Sequence, residues 1–554
     1  MNVSPQASNR SEAGFHTTFH EIHGSTYLDR DAKGLARLGK SQVLKRRFGF
    51  LSIFGFSCCI LATWETALSR FGMGVSYCLA VFVLRLSVFG RDVIHRFCGY
   101  LIGWLTSLAW IATLAIGSIL VGRMVQALII LNYPDYQSQK YHGAFLSWAV
   151  IVVCIFVNTV VAGILPFLEG SILIVHIMGF IAIMVTLVYL SPHTSAEHVF
   201  LRSLNEGYWP TQGLSYCVGF IGNVATFVGK CAWADAAIHM AEEIENAAMN
   251  VPRAIVTTVV LNGSMGWAMV LAILFCLGDI DSVIVCVSTS LVACLQSTRF
   301  SPRSQHSPTG FPWVQVFYNS TGQAGATVMT TVIIFVLWCA VIGFSATSSR
   351  MIWSFARDRG FPFHQYLRKV HAGTRVPVVA VIVVATISSL LNAIYIGSST
   401  AFSNVISMSV SGLYASYLLP CSFLLWRRVT GQIKPYRGTQ DRGGPDMTRP
   451  LAVEDNGAPD LLPEEQNLEW GPWCIPGWLG ILNNSFACLF CVWVLFWDFW
   501  PTQLPVTAQN MNFSILVTGS IVLFGVVRYF VGGNLTYRGP VVDYEVKGFT
   551  FGCS

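Results

Sequence analysis

Charge is what this chain has least of. Of its 554 residues, 11% are Asp, Glu, Lys or Arg, against about 25% in an ordinary soluble domain. That scarcity excludes a string of water-soluble domains. A nucleic-acid binder is excluded with it, because the net charge of +6 is small and its basic residues cluster at the ends of apolar runs. A His-Glu-x-x-His zinc helix is missing too. The nearest arrangement, His239 with Glu242 and Glu243, has the wrong spacing. No nucleophile sits beside a base, so neither an enzyme nor a bound metal or other cofactor is expected. The first 28 residues are polar and unlike a cleavable signal peptide. They, and the basic stretch that follows to residue 47, are expected to form a disordered tail. Cysteine is not scarce, at sixteen, but it is scattered through the apolar runs. Cys488-x-x-Cys491 lies inside one of them and reads as buried small side chains rather than a redox or metal pair.

What the chain has instead is 53% hydrophobic residues, gathered in runs near the roughly 20 residues that cross a bilayer. Spans are predicted at 50–68, 99–131, 146–164, 171–190, 214–240, 256–277, 328–344, 378–395, 403–425, 479–497 and 515–531. Two shorter runs, 75–90 and 283–295, are marginal. Basic clusters before the first span, around Arg350–Arg375 and around Arg427–Arg449 fall on one side if 75–90 spans and 283–295 does not. That predicts an all-α polytopic protein of about twelve helices, residues 48–533, with both ends in the cytoplasm. Residues 434–467 are expected to form a flexible cytoplasmic loop and 534–554 a cytoplasmic tail. On this topology the sequons at Asn319 and Asn512 are external and open to glycosylation, whereas Asn534 is cytoplasmic.

The most informative stretch runs from Phe227 through Asp235 to Glu242, Glu243 and Arg253. Gly219, Gly222 and Gly229 weaken a helix, and Lys230 and Asp235 put ionisable groups where hydrocarbon penalises them. A helix interrupted in this way survives only where the freed backbone lines a cavity, as in transporter substrate sites. A cytoplasmic helix cap after a glycine-rich span is the alternative.

Several motifs together identify a family. They are Leu61-Ala-Thr-Trp-Glu65, Trp209-Pro-Thr-Gln-Gly213, residues 235–255, Gly278-Asp-Ile-Asp281, the run from Ser348 to Pro362, and Leu425-Trp-Arg-Arg428. The chain resembles fungal permeases of the amino acid–polyamine–organocation superfamily, in the amino acid/choline/γ-aminobutyrate branch, over most of 47–542. The resemblance implies two inverted five-helix repeats plus two peripheral helices, with the first and sixth helices unwound around the substrate. It implies transport of a small nitrogenous solute by proton symport in a plasma membrane, the partners being that solute, the proton and the bilayer. A nutrient sensor on the same fold is the competing reading, as is a chain that folds without transporting.

Within that resemblance the first span supplies Gly55, Ser57, Thr63 and Trp64 as candidate substrate residues, and the sixth supplies Phe227, Gly229 and Asp235, with Phe227 as an aromatic gate. Two readings stay open for each of four further groups. Glu65 beside Trp64 offers charge and a cation–π face to an ammonium, or is a solvated residue near the end of a span. His176 is a proton-loading group on the fifth span, or a packing histidine. Trp110 walls the pocket, or packs the core. Glu242, Glu243 and Arg253 form a cytoplasmic gate, or contact substrate. Segments 75–97, 230–233 and 282–307 depart from the family pattern in the manner of gene-model irregularities.

Overall fold

The computed structural model describes residues 31, 35, 40, 42–70, 92–133, 135–201, 205, 207–223, 235–276, 309, 311–435, 468–501, 504–507, 511–537 and 539. The marginal runs 75–90 and 283–295 and the junction 224–234, with Phe227, Gly229 and Lys230, lie outside the described residues.

The first apolar run does not make one helix. α1 (Phe50–Leu61) and α2 (Thr63–Arg70) are separated by Ala62 alone. Then come α3 (Asp92–Asn132), α4 (Lys140–Thr159), α5 (Leu165–Leu190), a short α6 (Ala196–Leu201) and α7 (Gln212–Asn223). The chain resumes at α8 (Ala236–His239), a 3-10 turn at Ala241–Glu243 and α9 (Ala247–Phe275). The second half holds α10 (Pro312–Arg357), α11 (His364–Leu367), α12 (Val378–Gly397), α13 (Ser399–Val429), α14 (Gly477–Asp498), α15 (Ser514–Arg528) and α16 (Asn534–Thr536). Among the described residues strand is confined to β1 (Ile433–Lys434) and β2 (Leu468–Glu469), a parallel pair.

Nine helical stretches among the described residues are long and apolar enough to cross a membrane: α3, α4, α5, α9, α10, α12, α13, α14, and α15 continued through α16 to Thr536. The predicted all-α polytopic class therefore holds. The boundaries differ where polar residues are buried by neighbours. The run predicted at 328–344 is the middle of α10, which has 46 residues and is about 69 Å long. Pro312 starts it in the first turn, and Gly322, at φ 70°, kinks it. Its polar continuation, Ser345, Thr347, Ser348, Ser349 and Arg350, stays helical because it is buried in protein rather than exposed to lipid. Likewise α5 begins at Leu165, not 171, which brings Glu169 inside the span.

The helices of α3, α10 and α13 are the most enclosed, with 67% of their most apolar stretch buried, against 28% for α5 and 17% for α15. α1 packs on α5, α9 and α10, and α10 also lies on α3, α5 and α12. α5 turns Ile174, Met178, Ile181 and Val185 outward, the stripe a lipid-facing helix needs. Its buried stripe is Leu165, Glu169, Ile172, Leu173, His176, Ile183 and Leu187. Two glycines allow α1 its close contacts. A Cβ at Gly55 would lie 2.4 Å from the Glu169 carbonyl oxygen of α5, and one at Gly343 would lie 2.7 Å from Ile60 Cγ1.

One end of the bundle gathers the basic residues, and here the N-terminal segment departs from the expected disordered tail. Residues 42–48 form a strap. The Arg47 and Phe48 N–H groups donate to the Glu243 carbonyl at 2.9 and 3.0 Å, and the Glu245 N–H donates back to Phe48. Arg46 Nη1 donates to the Ile244 carbonyl at 2.6 Å and Arg47 Nη2 to that of Thr374 at 2.6 Å. Arg46 also pairs with Asp31, and Lys40 with Asp358. At the other end Asn512, expected to be open to glycosylation, donates its side-chain amide to the carbonyls of Asp498 and Trp500.

Candidate functional site

The break between α1 and α2 is built by one residue. Ala62 adopts φ 36° and ψ 49°, and its N–H closes the last turn of α1 on the Cys58 carbonyl. A left-handed non-glycine residue costs about 1–2 kcal/mol. Helix ends leave backbone groups without intrahelical partners, carbonyls at the C-terminus and N–H groups at the N-terminus. Here the two opposite dipole ends face each other across Ala62. One favours a cation and the other an anion.

Next to the break, and on the helices α3 and α10 of the same interior, lie buried polar atoms without hydrogen-bond partners among the described residues. Ser57 Oγ, Thr63 Oγ1 and Trp64 Nε1 come from α1 and α2, Ser345 Oγ and Thr347 Oγ1 from α10, and Trp110 Nε1 from α3. Buried polar atoms are nearly always satisfied, so these atoms have hydrogen-bonding capacity to spare for a polar ligand. Of the residues expected here, Thr63 and Trp64 directly follow the break and Ser57 lies one turn before it. Gly55 lies two turns away on the contact with α5, where its role is close packing.

Glu65 is not a solvated residue at a span end. It is fully buried, as is His176 of α5, and His176 Nδ1 lies 2.7 Å from Glu65 Oε1. His176 Nε2 lies 3.1 Å from Asn262 Oδ1 of α9, and Asn262 Nδ2 donates to the Cys58 carbonyl at 2.8 Å. That carbonyl can only accept, so Asn262 must turn its own oxygen to His176, and Nε2 must carry a proton. A hydrogen bond between Nδ1 and Oε1 requires one further proton between them. With it the bond holds; without it a carboxylate oxygen would face a ring lone pair. The Trp64 ring covers the imidazole at 5.8 Å and meets Phe180 edge-on at 5.9 Å.

A second buried group stands where the chain resumes after 234. Tyr417 of α13 donates to Asp235 Oδ2 at 2.5 Å, and His239 Nε2 is 3.2 Å from the same oxygen. The His239 ring meets the Trp110 ring edge-on at 5.8 Å, and Ser348 donates to the Trp110 carbonyl. α8 packs against α1, α9 and α10, so Asp235 and Trp110 belong to the same interior as the break.

At the basic end, Arg350 Nε donates to Glu243 Oε1 at 2.8 Å and Arg357 Nη1 to Glu242 Oε1 at 3.1 Å. The predicted gate carboxylates are thus paired, but by α10. Arg253, grouped with them from the sequence, is exposed on α9 and takes no part in these pairs. Burial raises the Glu242 carboxyl above its ordinary range, with Arg357 opposing the shift. Among the described residues no three His, Cys, Asp or Glu side chains assemble as metal ligands.

Sequence reasoning missed Asn262, Tyr417, Arg350, Arg357 and the strap. A lone Asn or Arg in an apolar run was the signal available for the first and third. The amino acid permease family model matches residues 48–521. A Macrophomina phaseolina protein named as an amino acid/polyamine transporter is 27% identical over 76% of this chain and 80% of its own. The choline transporter of Saccharomyces cerevisiae is 25% identical over 80% of this chain and 68% of its own. The GABA-specific permease of the same yeast is 22% identical over 94% and 87%. The chain belongs to the amino acid permease family, integral membrane proteins that carry amino acids or related solutes and are not enzymes.

Proposed function

We propose that this chain is a secondary active permease that brings a small amine-bearing solute (an amino acid, γ-aminobutyrate or choline) into the cell together with a proton. The observation that carries the reading is the break at Ala62, with opposed helix ends and with unpaired buried hydroxyls and indole N–H groups next to it and on α3 and α10. The carbonyl end of α1 receives an ammonium group and the N–H end of α2 a carboxylate. A quaternary ammonium has no N–H to donate, and the Trp64 face attracts it by cation–π interaction. Relatives named for choline and for GABA support this solute class. Phe227 is assigned as the aromatic gate over the solute.

The shared proton of Glu65 and His176 is the coupling element. Held, it ties α2 to α5 and keeps the break closed around the solute; lost, it unties them. The basic end faces the cytoplasm of a plasma-membrane protein, and the Glu243–Arg350 pair with the strap seals it until the solute and proton are to be released, Glu242 beside Arg357 being its pH-sensitive part. Opening and closing then alternate around a fixed site.

Uptake of labelled choline, γ-aminobutyrate and a panel of amino acids in permease-deficient yeast expressing the chain, in acid and in mildly alkaline medium, tests the reading. Saturable uptake of one solute, stronger in acid, is expected. No uptake of any solute from a chain present at the cell surface would overturn it.

A further inference from the structure

Glu169 is the most exceptional buried side chain outside the site just described. It lies on the buried stripe of α5, two helical turns and about 10.5 Å before His176. It is fully buried, and its carboxyl has no charged or strong hydrogen-bond partner among the described residues, the Cys59 thiol being the one weak donor near it. The titratable groups that reach it are the thiols of Cys59 on α1 and Cys339 on α10. None of the ion pairs among the described residues involves it. Burying an unpaired, ionised carboxylate is among the costliest arrangements a protein can make. The neutral acid does not carry that cost.

Its position gives the arrangement a use. Glu169 follows the start of α5 by one turn, about 6 Å in from the basic end. The loop before α5 touches the strap, because a Cβ at Gly163 would lie 3.9 Å from Arg47 Nη1. Glu169 therefore stands between the basic end and the Glu65–His176 pair.

We infer that Glu169 is a proton relay between the Glu65–His176 pair and the cytoplasm, an inference that rests on the proton-symport reading above. In the sealed form Glu169 is the neutral acid. On opening, its O–H bond breaks and the proton goes to water, leaving a hydrated carboxylate. Through the water admitted by the opening, which passes one proton on as it receives another, that carboxylate takes up the proton shared by Glu65 Oε1 and His176 Nδ1, which leaves a Glu65 carboxylate and a neutral imidazole. Glu169 is protonated at the start and at the end, and the net change is one proton moved from the pair to cytoplasmic water. The end then closes over a neutral side chain.

The test uses the full chain in proteoliposomes, with the membrane potential clamped at zero, labelled choline, γ-aminobutyrate and leucine as probes and a lumenal pH dye. One pH unit, acid outside, sustains at most about tenfold accumulation for one proton per solute. The wild type is expected to approach that ratio and acidify the lumen. Glu169→Gln is expected to exchange solute but to accumulate none beyond equilibrium, with no acidification, and Glu169→Asp to recover part of both. Full proton-driven accumulation by Glu169→Gln would overturn the relay and leave symport standing. A wild type that carries a probe without moving protons would overturn both. Infrared spectra of the purified protein, with and without Glu169→Gln, guard against a variant that fails to fold. A carboxylic acid band in the wild type that the variant lacks is expected, and its absence from the wild type contradicts the relay.

Discussion

Arg350 Nε lies 2.8 Å from Glu243 Oε1 with both side chains almost fully buried, and this pair fastens α10 to the turn before α9. A buried pair is costly to break from one side, by about 3–5 kcal/mol, because the remaining charge is stranded. Arg350→Met is therefore expected to destabilise the sealed form by a few kcal/mol, seen as faster alkylation of a cysteine placed in the strap. Exchanging the two residues, Glu243→Arg with Arg350→Glu, is expected to recover part of the protection. Equal labelling of wild type and Arg350→Met would remove the pair from the gate.

The Glu242–Arg357 pair adds a pH dependence whose sign follows from linkage. Burial raises the Glu242 carboxyl above its ordinary 4.5, outweighing the attraction of Arg357, whereas in an opened, hydrated end it returns toward that value. The sealed form then binds more protons. Its stabilisation is complete below the ordinary range and is lost as pH rises through the raised value. Acid on the cytoplasmic side is expected to favour sealing, and Glu242→Gln to flatten the response. Hydrogen exchange of residues 42–48, corrected for intrinsic rates, reads both; a slope unchanged by Glu242→Gln contradicts the assignment.

Ala62 makes the break at a cost that glycine would not bear. Relief of about 1–2 kcal/mol of left-handed strain exceeds the roughly 0.5–1 kcal/mol that glycine loses in chain entropy. Ala62→Gly is expected to be as stable as the parent or slightly more so, and to transport. A β-branched side chain fits this conformation badly, so Ala62→Val is expected to lose about 1–3 kcal/mol and to abolish saturable uptake. Thermal unfolding and uptake measure the two effects, and a fully active Ala62→Val would show that the left-handed turn is not needed.

Much of the membrane fold was legible because lipid demands long apolar helices, and composition records that demand. Legibility failed where protein replaced lipid. Hydropathy ended the tenth helix before Ser345 and began the fifth after Glu169, since neither segment looks apolar, yet both are helical and buried. Glu65 and His176 could each be singled out, but not their bond, which joins residues 111 apart in the chain. Arg253 looked as suitable a partner for Glu242 and Glu243 as Arg350 and Arg357. Only the packing of α10 against the turn at Ala241–Glu243 decides between them. The basic residues before Phe50 read as a topology signal, and nothing in their spacing discloses the carbonyls that Arg46 and Arg47 reach.

The central claim is that the proton held between Glu65 and His176 drives uptake. The most direct measurement compares wild type and His176→Ala for accumulation of the transported solute under an imposed pH gradient and for solute exchange with no gradient. The account predicts that His176→Ala exchanges solute at a comparable rate but no longer accumulates it above the external concentration. Gradient-driven accumulation that survives in His176→Ala with its pH dependence intact would contradict it.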